Sequence, residues 1–349
     1  MAYNNPFTLD FGAKPNLYVS RNEERNKILN TFLAEMPSTH IFILMGARGT
    51  GKTVLMTEVA HDIRDHKGWH HVDLGTDGDM LNALAGYLYK KYQMLDPKIK
   101  LDVSLKGIGI SVEKGSKYSD IHADLDEIIN GFKKKGIKIL VTVDEVSNSP
   151  SVRAFMSYFQ HCIREEMDIF VIGTGLYKNV RALQNNKTMT FLKRAPKIMI
   201  GALNLMRISR YYQEVFDIDY DKASVLARLT DGYSYAFQTL GYILCDKGKK
   251  EADEDVLTEY MVNLSECSYD KIWEELSGEE RRVVMAVADS EPVTAVNEIR
   301  NKLEMDSNSF STYKDTLIKS GILSDRSSRG YVSFSLPFFR EFVIQQYTE

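Results

Sequence analysis

One octapeptide constrains this chain more than any other feature. Residues 46–53 read Gly46, Ala47, Arg48, Gly49, Thr50, Gly51, Lys52, Thr53, the spacing Gly-x-x-x-x-Gly-Lys-Thr. Before it stands His40-Ile-Phe-Ile-Leu-Met45, a short apolar, branched-rich run of the kind that forms a buried central strand. After it, from Val54 to Ile63, apolar residues recur at helical spacing. Strand, glycine loop and helix in that order are the context in which such a loop cradles phosphate. Its glycines let the backbone turn N–H groups inward and approach an anion closely. The helix that follows presents its unpaired N–H groups and positive dipole end to the same charge, so the expected binding set runs on through Val54. Lys52 is expected to reach the terminal phosphates and Thr53 to ligate Mg2+.

The complement of such a loop is a buried strand that ends in carboxylates. Gly136-Ile-Lys-Ile-Leu-Val-Thr-Val-Asp-Glu145 supplies one. Alternation along the strand turns its last two side chains in different directions. Asp144 is expected to join the Mg2+ shell and Glu145 to orient an attacking water. A metal acid followed directly by glutamate favours hydrolysis over transfer to a small molecule. A third strand, Asp168-Ile-Phe-Val-Ile-Gly173, runs into Thr174-Gly175 and places a hydroxyl where it can meet the γ-phosphate or the water.

Composition excludes several classes. The chain has 349 residues, 44% of them hydrophobic and 26% charged, which suits two or three soluble globular domains and excludes a collagenous or disordered chain. No apolar run reaches the roughly 18–20 residues of a membrane span, and the N-terminus lacks the basic and apolar regions of a secretory signal. Three dispersed cysteines, Cys162, Cys245 and Cys267, suit a reducing cytoplasm and argue against a zinc site. The formal charge of −4 comes from 44 basic and 48 acidic residues; residues 268–349 contain 10 basic and 14 acidic ones, so that segment accounts for it.

Taken together, the loop, the carboxylate-ended strand and the third strand resemble the AAA+ ATPases. The likeness is greatest to the branch shared by origin-recognition initiator ATPases and STAND-type signalling ATPases. In that resemblance residues 46–53 match Walker A, Val141-Thr-Val-Asp-Glu145 matches Walker B, and Thr174 falls at sensor 1. Tyr18-Val-Ser-Arg-Asn-Glu-Glu24 looks like the segment that packs against adenine. The resemblance implies an α/β P-loop core with a parallel sheet, ATP as nucleotide, and an arginine finger at Arg194, with Arg181 a weaker candidate. Such a finger acts on a neighbouring subunit's phosphate and so implies a homo-oligomer. Preference for ATP over GTP also comes from the resemblance.

Residues 204–267 read as short helices, the helical lid of the family. The stretch Gly232-Tyr-Ser-Tyr-Ala-Phe-Gln-Thr-Leu-Gly241 resembles the start of its sensor-2 helix. The initiator-type arginine is not in that helix, and Ser234 stands where STAND-type lids carry proline. Lid contacts to nucleotide then either fall to backbone and to Tyr233 or Tyr235, or are absent.

Within the core, assigned to residues 1–203, alternation on both sides of Lys106-Gly107 reads as a β-hairpin insertion over about 100–113. Residues 268–349 read helix, helix, turn, helix, hairpin: a winged helix-turn-helix. Ser307 or Asn308 is the expected cap of its third helix. That helix offers Ser309, Ser311, Thr312, Lys314 and Lys319, and the wing tip offers Arg326 and Arg329. These can contact DNA phosphates, but the domain is net acidic, and winged helices also dock proteins. The sequence therefore describes an ATP-dependent switch whose winged helix meets either double-stranded DNA or a protein partner.

Overall fold

Residues 41–45 are Ile, Phe, Ile, Leu and Met, and a strand this apolar is stable only with both faces covered. In the computed structural model, which describes residues 5–9, 15–95, 120–325 and 330–348, that is where it lies. The five strands β1 (Ile41–Met45), β2 (Trp69–Asp73), β3 (Lys138–Val143), β4 (Ile169–Gly175) and β5 (Lys197–Met199) form one sheet in the order β2-β3-β4-β1-β5. The β1–β4, β3–β4 and β2–β3 pairs are parallel. The hairpin expected over about 100–113 lies outside the described residues. Among the described residues no helix is long and apolar enough to cross a membrane.

The chain divides into two compact units, one of Arg21–Met45 and Thr53–Ile198, the other of Met1–Ser20, Gly46–Lys52 and Met199–Glu349. In the first, helices cover both faces of the sheet. Ile41, Ile43, Ile139, Val141 and Val143 point to one face, into a core shared with α3 (Met80–Leu95), α4 (Ile121–Lys134) and α5 (Pro150–Arg164). On the other face Phe32 of α1 (Asn22–Phe32) packs on Phe42 and Phe170, with ring centroids 5.4 and 5.0 Å apart. Arg25 ties α1 to α2 (Lys52–Asp65) through Asp62 at 2.7 Å. Beyond β4 come α6 (Tyr177–Asn185) and a 3-10 turn, Thr190–Arg194.

The second unit holds the helices expected of a lid: α7 (Leu205–Phe216), α8 (Tyr220–Arg228), α9 (Ser234–Asp246) and α10 (Glu254–Leu264). Side-chain caps from Asn204, Asp219 and Asp253 start three of them, each stabilising its helix by about 1 kcal/mol. α10 continues through a π-helical turn, Ser265–Tyr269, into α11 (Asp270–Glu275) without leaving helical dihedrals. The sequence reading divides lid from winged helix between residues 267 and 268, which both lie on this turn. One apolar core runs from Phe7 and Val19 through the lid to Val343.

The segment expected to be a winged helix contains α12 (Gly278–Ala288), β6 (Thr294–Ala295), α13 (Val296–Lys302), α14 (Ser307–Lys319), β7 (Leu323–Ser324), β8 (Tyr331–Phe334) and α15 (Phe339–Thr348). The three strands pair in the order β6-β8-β7. Two details differ from expectation. The cap of α14 is Asp306, whose carboxylate accepts from the N–H groups of Asn308 and Ser309, because it sits one residue outside the first turn. The second helix, whose apolar spacing begins at Val293, starts only at Val296, because Thr294 and Ala295 form β6 and pair with β8. The wing-tip residues Arg326 and Arg329 lie outside the described residues.

Candidate functional site

The carboxyl ends of β1, β3 and β4 lie side by side. Leu44 pairs with Thr174 and Met45 with Gly175, while Val143 pairs with Gly173. The order of strands changes direction beside β1, and in open parallel sheets ligands bind at the carboxyl ends at such a point. The loop of residues 46–52 leaves β1 there.

Asp144 follows directly on β3. Its carboxylate accepts from the Thr53 hydroxyl, at 3.0 Å to Oδ2 and 3.2 Å to Oδ1. It also accepts from the hydroxyl of Thr174, which is wholly buried, and from the Glu145 N–H at 3.2 Å. Thr174 lies inside β4 rather than beyond it. Its Oγ1 accepts from the Glu145 N–H at 3.2 Å, and its carbonyl accepts from the Val146 N–H at 2.7 Å. Three consecutive residues, 144–146, are thereby fastened to one threonine.

Glu145 has φ +55° and is exposed. A non-glycine residue in the left-handed region costs about 1–2 kcal/mol. Anchoring on both sides, through its own N–H and that of Val146, holds it there. Strain kept in place by its surroundings clusters at functional sites.

Within the other unit the glycine loop is held just as closely. Gly49 and Gly51 have φ +74° and +86°. Lys52 Nζ donates to the Ala47 carbonyl at 2.7 Å and the Gly46 carbonyl at 3.3 Å, and Thr50 Oγ1 donates to Ala47 at 2.9 Å. Three successive carbonyls are then taken by three successive residues at the start of α9. The Tyr233 hydroxyl donates to Arg48 at 2.8 Å, the Tyr235 N–H to Gly49 at 3.1 Å, and Ser234 Oγ to Thr50 at 3.0 Å. A Cβ placed on Gly321, just past α14, would lie 3.2 Å from Ala47 Cβ, and the Arg48 guanidinium pairs with Glu275 at 3.1 Å.

Tyr233, which the sequence reading offers as one possible lid contact to nucleotide, bonds the loop through its hydroxyl, and Tyr235, the other, through its main-chain N–H. Arg194, itself exposed, ends the 3-10 turn, and among the described residues it makes no hydrogen bond or ion pair with Thr53, Asp144 or Glu145. Arg181 donates to the Tyr177 hydroxyl on its own helix.

These residues suit a phosphate and a small hard cation. In a trans peptide the carbonyl of one residue points opposite to the N–H of the next. Fastening the carbonyls of 48, 49 and 50 therefore aims the N–H groups of Gly49, Thr50 and Gly51 the other way, as an anion-binding concavity requires. A threonine hydroxyl beside a carboxylate is an all-oxygen donor set of the kind Mg2+ takes together with phosphate and water.

A family model described as a domain of unknown function, DUF8462, matches residues 267–343. No curated protein matches the chain. Among solved structures the chain is similar to a Walker-type ATPase of Pyrococcus abyssi, with TM-score 0.65 and 13% identity over 94% of this chain and 96% of that one. It is also similar to the ORC2 protein of Aeropyrum pernix in its ADPNP–ADP complexes, with TM-score 0.62 and 12% identity over 97% of each chain. The ADP form of that protein matches with TM-score 0.54 and 14% identity over 96% of each chain. Sheet order, loop position and these likenesses agree: the chain has the fold of the AAA+ P-loop ATPases.

Proposed function

We propose that this chain is an ATP-binding, slowly ATP-hydrolysing switch that couples nucleotide state to its winged helix. The observation that carries the reading is the Thr53 hydroxyl resting on both oxygens of Asp144. Thr53 is the last residue of the glycine motif and Asp144 the first beyond β3, so residues 91 apart in sequence meet as a magnesium-dependent phosphate site requires. The Aeropyrum pernix ORC2 protein was solved with ADPNP and ADP, which supports nucleotide as the ligand.

In this reading the N–H groups of the loop and Lys52 bind the phosphates, with Thr53 and Asp144 holding Mg2+. The bound ion would neutralise phosphate charge and orient the terminal group. Thr174 positions Asp144 and Glu145. The Glu145 carboxylate accepts a hydrogen bond from the attacking water and so orients it. Arg194, exposed on its turn, serves as a finger for a second copy of the chain, which makes the working form a homo-oligomer.

Residues 1–203 act as the core, 204–267 as the lid and 268–349 as the output element. The exposed Ser309, Ser311, Thr312 and Lys319 of α14 offer contacts to duplex DNA. The excess of 14 acidic over 10 basic residues in the C-terminal segment favours a protein partner. Duplex binding that falls steeply between low and moderate salt identifies DNA; ATP-driven assembly indifferent to DNA identifies a protein contact.

The test of the phosphate site uses two variants. Lys52→Ala is expected to abolish ATP binding in calorimetry, and unchanged affinity refutes the assignment. Glu145→Gln is expected to keep binding and slow phosphate release at least ~10-fold, a floor set below the roughly 100-fold low end of a general-base contribution.

A further inference from the structure

The three carbonyl bonds to the loop have a common origin. Tyr233, Ser234 and Tyr235 are consecutive, and they hold Arg48, Gly49 and Thr50, also consecutive. Gly49 accommodates this grip: a Cβ there would lie 2.1 Å from the Tyr233 hydroxyl oxygen. No residue with a side chain fits under the tyrosine at that point.

Behind Tyr233 stands Ser268 of the π-helical turn, buried, with its Oγ 2.6 Å from the Tyr233 hydroxyl. A phenol has one proton. Tyr233 spends it on the Arg48 carbonyl, so Ser268 must donate to Tyr233. The bonds form a directed chain from Ser268 through Tyr233 to Arg48, in which each link polarises the next. Burial pushes the Tyr233 phenol well above its ordinary pKa of 10, which keeps the proton in place at neutral pH. A few residues on, Glu275 pairs with the Arg48 guanidinium at 3.1 Å. Single π turns are uncommon and recur at functional sites. This one brings Ser268 to the hydroxyl of Tyr233.

We propose that Tyr233, Ser234 and Tyr235 form a clasp that positions the phosphate loop by its outer carbonyls, and that Ser268 couples that clasp to residues 265–275. The clasp rests on the reading of residues 46–53 as a phosphate loop. Its members are positioning residues; the donors to phosphate are the N–H groups on the other side of the same peptides. Ligand binding to the loop is thereby felt on the turn that leads into the C-terminal segment, and changes on that turn alter affinity at the loop.

The experiment measures ADP affinity by calorimetry and amide exchange of residues 265–275 with and without ADP. The full-length chain is compared with Lys52→Ala, Tyr233→Phe, Ser268→Ala and the Tyr233→Phe/Ser268→Ala pair. Losing one buried hydrogen bond to the loop is expected to weaken ADP about 5- to 10-fold in Tyr233→Phe. Ser268→Ala weakens it less, and adds nothing once the tyrosine hydroxyl is gone, since both act through that oxygen. ADP slows exchange at 265–275 in the parent chain and not in Tyr233→Phe, a difference that a loss of general stability does not produce.

Retained ADP affinity in Lys52→Ala overturns the phosphate-loop reading itself. Lost affinity in Lys52→Ala with unchanged affinity in Tyr233→Phe overturns the clasp alone. So does additivity of the two substitutions, or an exchange pattern at 265–275 that ignores ADP in the parent chain. Should Tyr233→Phe fail to fold, Ser268→Ala, which removes only one oxygen, carries the same two measurements: parent-like affinity together with parent-like ADP protection overturns the clasp.

Discussion

Replacing Thr174 with valine tests whether one buried hydroxyl organises the acidic end of β3. Valine nearly matches threonine in shape, and the side chain is fully buried, so the change leaves no cavity and removes only hydrogen bonding. What goes is a donor to the Asp144 carboxylate and an acceptor for the Glu145 N–H. A hydrogen bond to a charged group contributes about 1.5–3 kcal/mol. Asp144 keeps Thr53 and the Glu145 N–H as partners, so it stays in place but is free to rotate. If the geometry of residues 144 and 145 is used in the transition state, that energy converts to roughly a 10- to 100-fold loss in turnover at 1.36 kcal/mol per decade. ATP affinity, which the proposed function assigns to the loop and Lys52, should change by less than about 3-fold, under 1 kcal/mol. Phosphate release under saturating ATP and calorimetric binding read the two effects separately. Thr174→Ser restores the hydroxyl and should recover most of the rate. Turnover in Thr174→Val within twofold of the parent would show that this hydroxyl does not position Asp144 and Glu145 for hydrolysis.

Two further outcomes follow from the same unit. At Glu145 the left-handed φ of +55° makes glycine the better backbone residue. Glu145→Gly should therefore be more stable to urea than Glu145→Ala by about 0.5–1 kcal/mol, the left-handed penalty less the entropy of glycine; equal stability would remove the claim of strain. His70 stacks on Phe132 with centroids 5.7 Å apart, and burial, with the charges of Lys91 and His71, lowers its pKa from 6.5 to about 4. Its folded state binds the proton less readily than the unfolded chain, so its contribution to stability is present above pH 6.5 and is lost as pH falls towards 4. His70→Gln should flatten that decline in urea midpoints, and an unchanged slope across this window would exclude His70 as its source.

How much of this was legible beforehand depends on where each feature's information lies. Residues 46–53 specify their own conformation through glycine positions and helix-opening Lys52, so the loop and its flanking strand could be read locally. The strand ending in Asp144 and Glu145 was equally plain from its apolar run. Residues 204–267 could be read as short helices, and the helices now seen as α12 and α14 showed in their periodicity, though the cap of α14 is Asp306 rather than Ser307 or Asn308. The π-helical turn did not, because Ser265–Tyr269 differs from an ordinary helix only in which carbonyl each N–H reaches. β6 was invisible because two residues carry no alternation; only pairing with Val332 and Tyr331 makes it a strand. The clasp is the hardest case. Tyr233 finds Arg48 across 185 residues and Ser234 finds Thr50 across 184, and what they find is a main-chain carbonyl. Every residue carries one, so the acceptor leaves no mark in composition or spacing. The only local trace is Gly49, which Walker-type spacing leaves free to vary. Its φ of +74° alone favours glycine, and the tyrosine oxygen 2.1 Å from a Cβ position supplies a second, independent reason for it. A pattern search sees the loop because function repeats it; it misses the clasp because what holds the loop belongs to this fold's packing and is written in tyrosines whose partner is backbone.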